Sequence, residues 1–368
     1  MNSPVYFASL KLKAEDNLFK KIERLYKSCR VSNCVSPKDF AAVKIHFGEK
    51  GNSSFIRSIF VRKIAELLKK DDSYPFLTDS NILYLASRSD AVNHLETSIA
   101  NGFTYSTVGV PSIIADGLKG ASYEEVTINQ KHFKKALIGK EIAQADCIIA
   151  LSHFKAHELS GFGGALKNIG MGSGSKGGKL AMHSDVRPKV KKDKCTLCKR
   201  CVSWCPGNAI TLTQTNAQID QSKCIGCGEC LAICQSKAIQ INWNPDTSVF
   251  QEKIVEYAYA VLYNKKHKSA FFNFILDVSP QCDCYPFSDS PIVPNIGILA
   301  SLDPVAIDQA SVDLVNKTQG LANTRLTNNI LPGEDKFKGI YPHIDWNIQL
   351  DYAEKLGLGF RKYNLIEV

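Results

Sequence analysis

The most informative stretch of this chain is Cys195-Thr-Leu-Cys198-Lys-Arg-Cys201-Val-Ser-Trp-Cys205-Pro206. The same cysteine spacing recurs downstream in Cys224-Ile-Gly-Cys227-Gly-Glu-Cys230-Leu-Ala-Ile-Cys234. Each run has three cysteines separated by two residues, and a fourth cysteine follows after three more residues. Eight of the thirteen cysteines therefore belong to two copies of one pattern.

This pattern predicts two [4Fe–4S] clusters. In two-cluster ferredoxins of the bacterial type, the first three cysteines of a run bind one cluster and the fourth binds the other. For cluster 1 the rule predicts the ligands Cys195, Cys198, Cys201 and Cys234. For cluster 2 it predicts Cys224, Cys227, Cys230 and Cys205. The alternatives fit less well, because zinc ribbons use pairs of Cys-x2-Cys and disulfides are rare in proteins without a secretory signal.

The composition is that of a globular protein long enough for two domains, with 44% hydrophobic and 22% charged residues. No apolar run approaches the roughly 18 to 20 residues that cross a membrane. Residues 1–10 lack the charged start and apolar core of a signal peptide. We therefore expect a cytoplasmic protein without a membrane span. The sequence neither assigns nor excludes a flavin or a further metal ion.

Positive charge is concentrated around the cysteine runs. The net charge is +9, and the segment from Arg187 to Trp243 holds nine Lys or Arg against three Asp or Glu. Such a basic surface would attract an acidic redox partner of the ferredoxin or flavodoxin type. The alternative is that these cations offset the negative charge of thiolates and clusters. No basic–aromatic motif supports a nucleic-acid partner.

The cysteine runs divide the chain into three segments. Residues 1–187 and 244–368 are predicted to form one α/β domain with a mostly parallel sheet. Residues 188–243 are predicted to form a small α+β domain of the bacterial ferredoxin type, inserted between them. Gly172–Gly178 and residues 187–194 indicate loop and linker, and Asn244-Pro245-Asp246 indicates a second break.

Short apolar runs alternate with amphipathic segments in both flanks, which is typical of an α/β domain. Strands are predicted at residues 40–46, 75–79, 146–151, 270–276 and 296–300. Helices are predicted at residues 55–70, 90–101, 250–263 and 304–316, the last with Asp303 as N-cap and Pro304 at its first position.

Polar side chains follow each predicted strand, at the end where open α/β sheets bind ligands. They are His46, Glu49 and Asn52; Asp79 and Ser80; Ser152, His153, Lys155, His157 and Glu158; Asp277, Cys282 and Cys284; and Asp303. We predict a second site there, with the catalytic residues His46, Lys155, His157, Lys167 and Asn168.

Glycines are densest between residues 161 and 178, with lysines among them. Backbone N–H groups of such a loop can bind an anion, which would suit a small anionic substrate. The predicted anion-loop residues are Gly161, Gly163, Gly164, Gly170 and Gly172. The alternative is a flexible linker, which explains Gly172–Gly178 better than Gly161–Gly164.

Two further groups are candidates for metal or redox chemistry. His153 and His157 are four residues apart and would share a metal if the segment were helical. Cys282 and Cys284 are too close in sequence for an unstrained mutual disulfide. They are predicted as metal ligands, as a redox thiol, or as incidental. Cys29, Cys34 and Cys147 are predicted to be structural.

Four phrases resemble the DUF362 family of iron–sulfur proteins, and the resemblance extends over nearly the whole chain. They are Lys44-Ile-His46-Phe-Gly48-Glu49; Ser152-His-Phe-Lys-Ala-His157; Gly161-Phe-Gly-Gly-Ala-Leu-Lys-Asn-Ile-Gly-Met-Gly172; and Ser301-Leu-Asp303-Pro-Val-Ala-Ile-Asp308. The resemblance implies an α/β domain paired with a two-cluster ferredoxin domain, and it implies no reaction. One departure from the ferredoxin pattern is Gln235 after Cys234, where the first run has Pro206.

Three functions remain in competition. The first is an oxidoreductase whose clusters relay electrons to a substrate or centre in the α/β cleft. The second is a non-catalytic electron carrier, in which the α/β domain is a docking platform. The third is a docking or maturation protein that bears clusters. The first explains why a polar pocket and an electron supply are joined in one chain.

Overall fold

The computed structural model describes residues 2–84, 86–183, 188–224, 226–241 and 246–368. In chain order, the strands of these residues are β1 (Ser3–Ser9), β2 (Phe40–Lys44), β3 (Tyr74–Asp79), β4 (Ser112–Ile114), β5 (Tyr123–Thr127), β6 (Lys135–Gly139), β7 (Cys147–His153), β8 (Lys155–His157), β9 (Gly161–Gly163), β10 (Lys189–Val190), β11 (Ile210–Leu212), β12 (Ala217–Ile219), β13 (Ile239–Gln240), β14 (Ser269–Ile275), β15 (Gly297–Ser301) and β16 (Tyr363–Glu367).

The α-helices of the same residues are α1 (Leu18–Ser28), α2 (Ser58–Lys70), α3 (Ala91–Ala100), α4 (Tyr105–Val108), α5 (Lys140–Gln144), α6 (Ala165–Ser173), α7 (Lys176–His183), α8 (Arg200–Ser203), α9 (Glu229–Ile233), α10 (Thr247–Tyr263), α11 (Pro304–Lys317), α12 (Lys336–Ile340) and α13 (Asn347–Lys355). Short 3-10 helices lie at Val31–Cys34 and Lys192–Lys194. None of the described helices is long and apolar enough to cross a membrane.

Eight strands form the central sheet, in the order β16-β1-β15-β14-β7-β2-β3-β4. Strand β15 pairs antiparallel with both of its neighbours, and every other neighbouring pair is parallel. The prediction of an α/β fold with a mostly parallel sheet, built from both flanks of the cysteine runs, is therefore confirmed. Strands β14, β7, β2, β3 and β4 run in one direction, so their carboxyl ends lie along one edge.

The central strands are buried on both faces, which explains their nearly continuous apolar sequences. In β7, Ile148 and Ala150 belong to the core on one face. Cys147, Ile149 and Leu151 belong to the core on the other face. The first core packs the sheet against α6, α10, α11 and α13, and the second packs it against α1 and α2. Cys147 is thus buried as a small hydrophobic residue, as predicted for a structural cysteine.

The predicted loop over Gly172–Gly178 is wrong, because α6 ends at Ser173 and α7 begins at Lys176, with only Gly174 and Ser175 between them. The glycines there allow close packing of helices rather than flexibility. A side-chain carbon at Gly170 would collide with the Ile254 carbonyl oxygen of α10. One at Gly178 would lie 2.6 Å from the Leu137 carbonyl oxygen. Sequence alone could not separate these close contacts from a linker.

The cysteine runs lie in a small unit with its own apolar cluster. Strand β10 pairs with β13, and β11 pairs with β12. The cluster between these sheets and α8 and α9 includes Ile210, Ala217 and Ile239 together with Cys201 and Cys230. The predicted segment boundaries at 187/188 and 243/244, and the break at Asn244-Pro245, involve residues outside those described.

Candidate functional site

A cleft of about 100 Å³ lies beyond the carboxyl ends of β2, β3, β7 and β14. This volume can hold several water molecules or a small ligand. The structure brings all five predicted catalytic residues to its wall, namely His46, Lys155, His157, Lys167 and Asn168. Cys282 and Cys284, which follow β14, also line it. The carboxyl edge of the sheet is thus a polar, ligand-sized site.

Four residues of the predicted strand-end set do not line the cleft, namely Glu49, Asn52, Asp277 and Asp303. Asp303 follows β15, which runs antiparallel to its neighbours, so its carboxyl end is at the opposite edge. Its side chain caps α11, accepting from the Val305 and Ala306 N–H groups at 2.9 Å each. Asp277 forms an ion pair of 3.3 Å with Arg57 at the surface. A lone sequence does not reveal strand direction, and this explains the error for Asp303.

A network of buried charges forms one wall of the cleft. Lys44 Nζ lies 2.9 Å from Asp79 Oδ1 and donates to Asn168 Oδ1 at 2.9 Å. Arg88 bonds Asp79 Oδ2 at 3.3 Å and Glu49 Oε2 at 3.2 Å. Burial by itself would raise the pKa of Asp79, but the cations around it, Lys44 first among them, hold it below its usual value. These pairs fix the position of Asn168 and keep the wall charged.

Sequence reasoning did not select Lys44 or Arg88 as site residues. Lys44 could have been found as a charged residue at the carboxyl end of the otherwise apolar strand Phe40–Lys44. Arg88 lies in a loop, and its partners Glu49 and Asp79 are distant from one another in sequence. Only the folded chain shows that these groups share one buried network.

His46 is held as a neutral donor. Burial, with Arg88 nearby, lowers the pKa of His46 to about 3. The Gly48 N–H donates to His46 Nδ1 at 3.0 Å, so the ring proton resides on Nε2. His46 can therefore donate a hydrogen bond to a ligand in the cleft at neutral pH.

The predicted metal pair of His153 and His157 does not share a helical turn, because the two residues lie in β7 and β8. His153 Nδ1 lies 2.8 Å from Asp283 Oδ1, and its Nε2 lies 2.9 Å from the Leu276 carbonyl oxygen. Both ring nitrogens of His153 are thus occupied within the protein. Among the described residues that line the cleft, no three His, Cys, Asp or Glu side chains converge as a site for a metal ion.

Cys282 and Cys284 lie within a tight turn. The Tyr285 N–H donates to the Cys282 carbonyl oxygen at 3.1 Å and closes the turn. Asp283, between the two thiols, forms ion pairs with His153 at 2.8 Å and Lys155 at 3.2 Å. The Asp283 carboxylate is therefore anchored in the protein, while both cysteines face the cleft.

The two thiols have opposite electrostatic environments. A hydrogen bond from Cys284 lowers the pKa of Cys282, and Lys167 and His157 add to this effect against the opposing effect of burial. The same hydrogen bond raises the pKa of Cys284. Lys167 Nζ lies 3.7 Å from Cys282 Sγ. Cys282 therefore carries thiolate character, with Lys167 as its nearest cation.

Most glycines of the predicted anion-binding loop lie in regular secondary structure. Gly161 and Gly163 belong to β9, whereas Gly170 and Gly172 lie within α6. Gly163, Gly164 and Gly172 line the cleft. Gly161 packs instead against Trp346.

The N-terminus of α6, where an anion would bind, is already occupied by a carboxylate of the chain itself. The Ala165 and Leu166 N–H groups donate to the two oxygens of Asp308 at 2.7 and 3.0 Å. Asn273 Nδ2 donates to the same carboxylate at 2.7 Å. Burial nevertheless raises the pKa of Asp308 to about 6. This cap fixes the helix that carries Lys167 and Asn168.

The eight clustered cysteines line two small cavities. The lining of the outer cavity, as we name it, includes Cys195, Cys198, Cys201 and Cys234. The lining of the inner cavity includes Cys205, Cys224, Cys227 and Cys230. Each cavity thus combines three cysteines of one run with the fourth cysteine of the other run.

The two cysteine runs also share backbone geometry. The residues two and four positions after the first cysteine have positive φ in both runs: Leu197 at 55° and Lys199 at 65°, Gly226 at 71° and Gly228 at 75°. The N–H group four residues after the last cysteine donates to its sulfur in both runs, from Ala209 to Cys205 at 3.3 Å and from Ala238 to Cys234 at 3.2 Å. The two runs therefore form a pseudo-symmetric pair.

The inner cavity is adjacent to the cleft. A side-chain carbon at Gly177 of α7 would lie 3.4 Å from the Cys227 Cα. Gly228 contacts Leu83, and Leu83 lines the cleft. Lys176 and Glu229, both buried, form an ion pair of 3.0 Å across the same contact. Cys198, in contrast, lines the outer cavity and is exposed.

Together these features define an α/β protein with a polar cleft at the carboxyl edge of its sheet and a cysteine-rich unit packed beside it. The chain belongs to the DUF362 family, described as a domain of unknown function, whose model matches residues 41–313. The family resemblance seen in the sequence is therefore confirmed.

Among solved structures, the chain is similar to the lactate racemase apoprotein from Thermoanaerobacterium thermosaccharolyticum, with 11% identity and a TM-score of 0.39. The match covers 75% of this chain and 51% of that one, so this chain spans about half the length of the racemase. No curated protein sequence matches the chain.

Proposed function

We propose that this protein is an iron–sulfur oxidoreductase, in which a ferredoxin-like unit with two [4Fe–4S] clusters relays electrons to a substrate in the cleft. The observation that carries the proposal is the sorting of eight cysteines into two cavities. Each cavity has the crossed set of three cysteines and one that two-cluster ferredoxins use. The spacing of the runs and their placement in the fold support the same ligand sets.

The chemistry of the two cavities fits such clusters. The N–H groups of Ala209 and Ala238 donate to cysteine sulfurs, and hydrogen bonds of this kind tune cluster potentials. Burial raises the pKa of the Cys227 thiol to about 11, so its thiolate needs a strong positive charge nearby. Bound iron would supply that charge, and the clusters would supply one-electron redox chemistry.

The placement of the cavities supports a direction for the relay. The outer cavity includes the exposed Cys198, and the exposed Lys199 and Arg200 follow it in sequence. An acidic redox partner would dock at this surface. The inner cavity adjoins the cleft through Leu83, which contacts Gly228 and lines the cleft. Cluster 1 would thus exchange electrons with the partner, and cluster 2 would be nearer to the substrate.

The cleft supplies groups that can bind and orient a small anionic substrate. Its lining includes five Lys or Arg side chains against two Asp or Glu. Lys155 and Lys167 provide positive charge at the wall formed by the Cys282 turn. His46 holds a proton on Nε2 that it can donate to a ligand oxygen.

Iron and sulfide analysis of protein purified without oxygen tests the proposal. We expect about eight iron and eight sulfide per chain, with interacting S = 1/2 signals in electron paramagnetic resonance after reduction by dithionite. Cys198→Ser should reduce the iron content or perturb cluster 1, whereas Cys147→Ser, in a buried strand, should leave the iron content unchanged. Zinc in place of iron in the intact protein would contradict the proposal.

A further inference from the structure

We propose that Cys282 and Cys284 form a dithiol/disulfide centre that reduces small anionic disulfides bound in the cleft. This inference rests on the proposed function for its electron supply, and it names the substrate class of the same site. The two thiols lie one residue apart in a closed turn, and both line the cleft.

The turn places the thiols within reach of each other. The Tyr285 N–H bond to the Cys282 carbonyl closes it, and the Cys282 and Cys284 side chains both line the cleft. The Cys284 thiol lowers the pKa of Cys282, and Cys282 raises the pKa of Cys284. Asp283 is held away by His153 and Lys155. A disulfide in so short a loop is strained, so the iron–sulfur centres would reduce it readily, and an excess of substrate disulfide drives its formation.

The groups around Cys282 favour thiol–disulfide exchange. Lys167 Nζ lies 3.7 Å from Cys282 Sγ, and His157 also donates toward this sulfur. The Leu159 N–H donates to His157 Nδ1 at 3.2 Å, which leaves the ring proton on Nε2. A thiolate beside a fixed cation is the nucleophile that such exchange requires.

The cleft selects the substrate by charge and size. Basic side chains in its lining outnumber acidic ones, which favours a disulfide that bears carboxylates or similar anionic groups. The volume of about 100 Å³ suits a small molecule. A cationic disulfide of similar size would be disfavoured by Lys155 and Lys167.

The reaction balances in two stages. The Cys282 thiolate attacks one substrate sulfur, the substrate S–S bond breaks, and one thiolate leaves a mixed disulfide behind. Cys284 loses its proton and attacks the Cys282 sulfur, so the second substrate thiolate leaves and the Cys282–Cys284 disulfide forms. Two electrons and two protons then restore both thiols. The electrons come one at a time through the iron–sulfur centres of the proposed function.

Exchange with a matched pair of disulfides tests the inference. Protein purified without oxygen is mixed with anionic dithiodiglycolate or cationic cystamine, quenched in acid, alkylated and mapped by peptide mass. We expect the peptide that contains both cysteines to escape alkylation and to lose the mass of two hydrogens, with two small thiols released per chain. The anionic disulfide should react at least about tenfold faster than the cationic one.

Variants make the outcome decisive. Cys284→Ser should trap a mixed disulfide on Cys282, because the resolving thiol is missing. Cys147→Ser should behave as the unaltered chain, since burial raises the pKa of the Cys147 thiol to about 12 and keeps it unreactive. A wild-type peptide that keeps a mixed disulfide, or that carries two alkyl groups, overturns the inference.

Iron analysis of the same samples separates this inference from the proposed function. Full iron content without the internal disulfide overturns the dithiol centre alone. An internal disulfide in a chain that binds no iron overturns the proposed electron source and supports the dithiol centre.

Discussion

Lys167 shows how one side chain can set the chemistry of the cleft. Burial alone would lower its pKa, but Cys282, Cys284 and Glu158 raise it above the usual value, so the ammonium stays charged. Lys167 Nζ donates a hydrogen bond to Cys282 Sγ at 3.7 Å. The cation and the Cys282 thiolate therefore stabilise each other.

Removing this charge should shift the reactivity of Cys282 to higher pH. In a Cys284→Ser background, which leaves one thiol in the turn, Lys167→Met should raise the pH midpoint for alkylation by iodoacetamide by about one to three units. The sign follows because only the thiolate reacts and the lost cation no longer lowers the thiol pKa. The midpoint is measured from the alkylation rate of the Cys282 peptide across pH.

Lys167→Arg in the same background is the matched control, because it keeps the charge. Its midpoint should stay close to that of the Cys284→Ser parent. Equal midpoints for the Met and Arg variants would show that Lys167 does not stabilise the thiolate.

At the level of elements, the site depends on how α6 begins. Its first two N–H groups donate hydrogen bonds to the Asp308 carboxylate of α11, and Asn273 of β14 donates to the same carboxylate. A side chain at Gly164 would collide with Asp308, so the cap requires glycine there. Two elements, α11 and β14, thus hold the start of α6 in place, and Lys167 and Asn168 follow on its first turn.

Asp308→Ala should destabilise the fold more than the loss of an ordinary cap. It removes the acceptor of buried N–H groups, and we expect a cost of about 2 to 4 kcal/mol in the free energy of unfolding. Asp246→Ala is the matched control, because exposed Asp246 also caps a helix by accepting two N–H groups, at 2.8 and 3.3 Å. It should cost about 1 kcal/mol.

Urea unfolding of both variants, followed by circular dichroism, provides the comparison. Equal losses of stability in the two variants would mean that burial of the Asp308 cap adds nothing. The position of α6 would then depend on its packing against the sheet and α10 rather than on its cap.

The sequence predicted most elements because their signals are local. Apolar runs located the central strands, and Asp303-Pro304 marked the start of α11 as the structure has it. Features that depend on distant partners were missed. The antiparallel direction of β15 was not predicted, so Asp303 was assigned to the wrong edge of the sheet. The pairing of Arg88 with Glu49 and Asp79 exists only in the folded chain. The glycines of α6 and α7 have the composition of a linker, yet they allow close helix packing.

At the scale of the whole molecule, the contact between the cysteine-rich unit and the sheet domain matters for any electron relay. It combines the close approach of Gly177 to Cys227, an apolar cluster of Leu83, Leu180 and Ile241, and the buried ion pair of Lys176 with Glu229. Small residues let the backbones meet, and the ion pair sets their register. This contact keeps the inner cavity beside the cleft.

The Lys176–Glu229 ion pair should contribute more to the specific register of this contact than to the net free energy of unfolding. Lys176→Met leaves the Glu229 carboxylate buried without its partner, and removing one member of a buried pair costs about 3 to 5 kcal/mol. The double variant Lys176→Met/Glu229→Gln removes both charges and should recover most of that loss. Thermal unfolding of the wild-type, single and double variants, purified without oxygen, measures the difference. A double variant as unstable as the single one would mean that the charge pair itself contributes net stability to the contact between the two units.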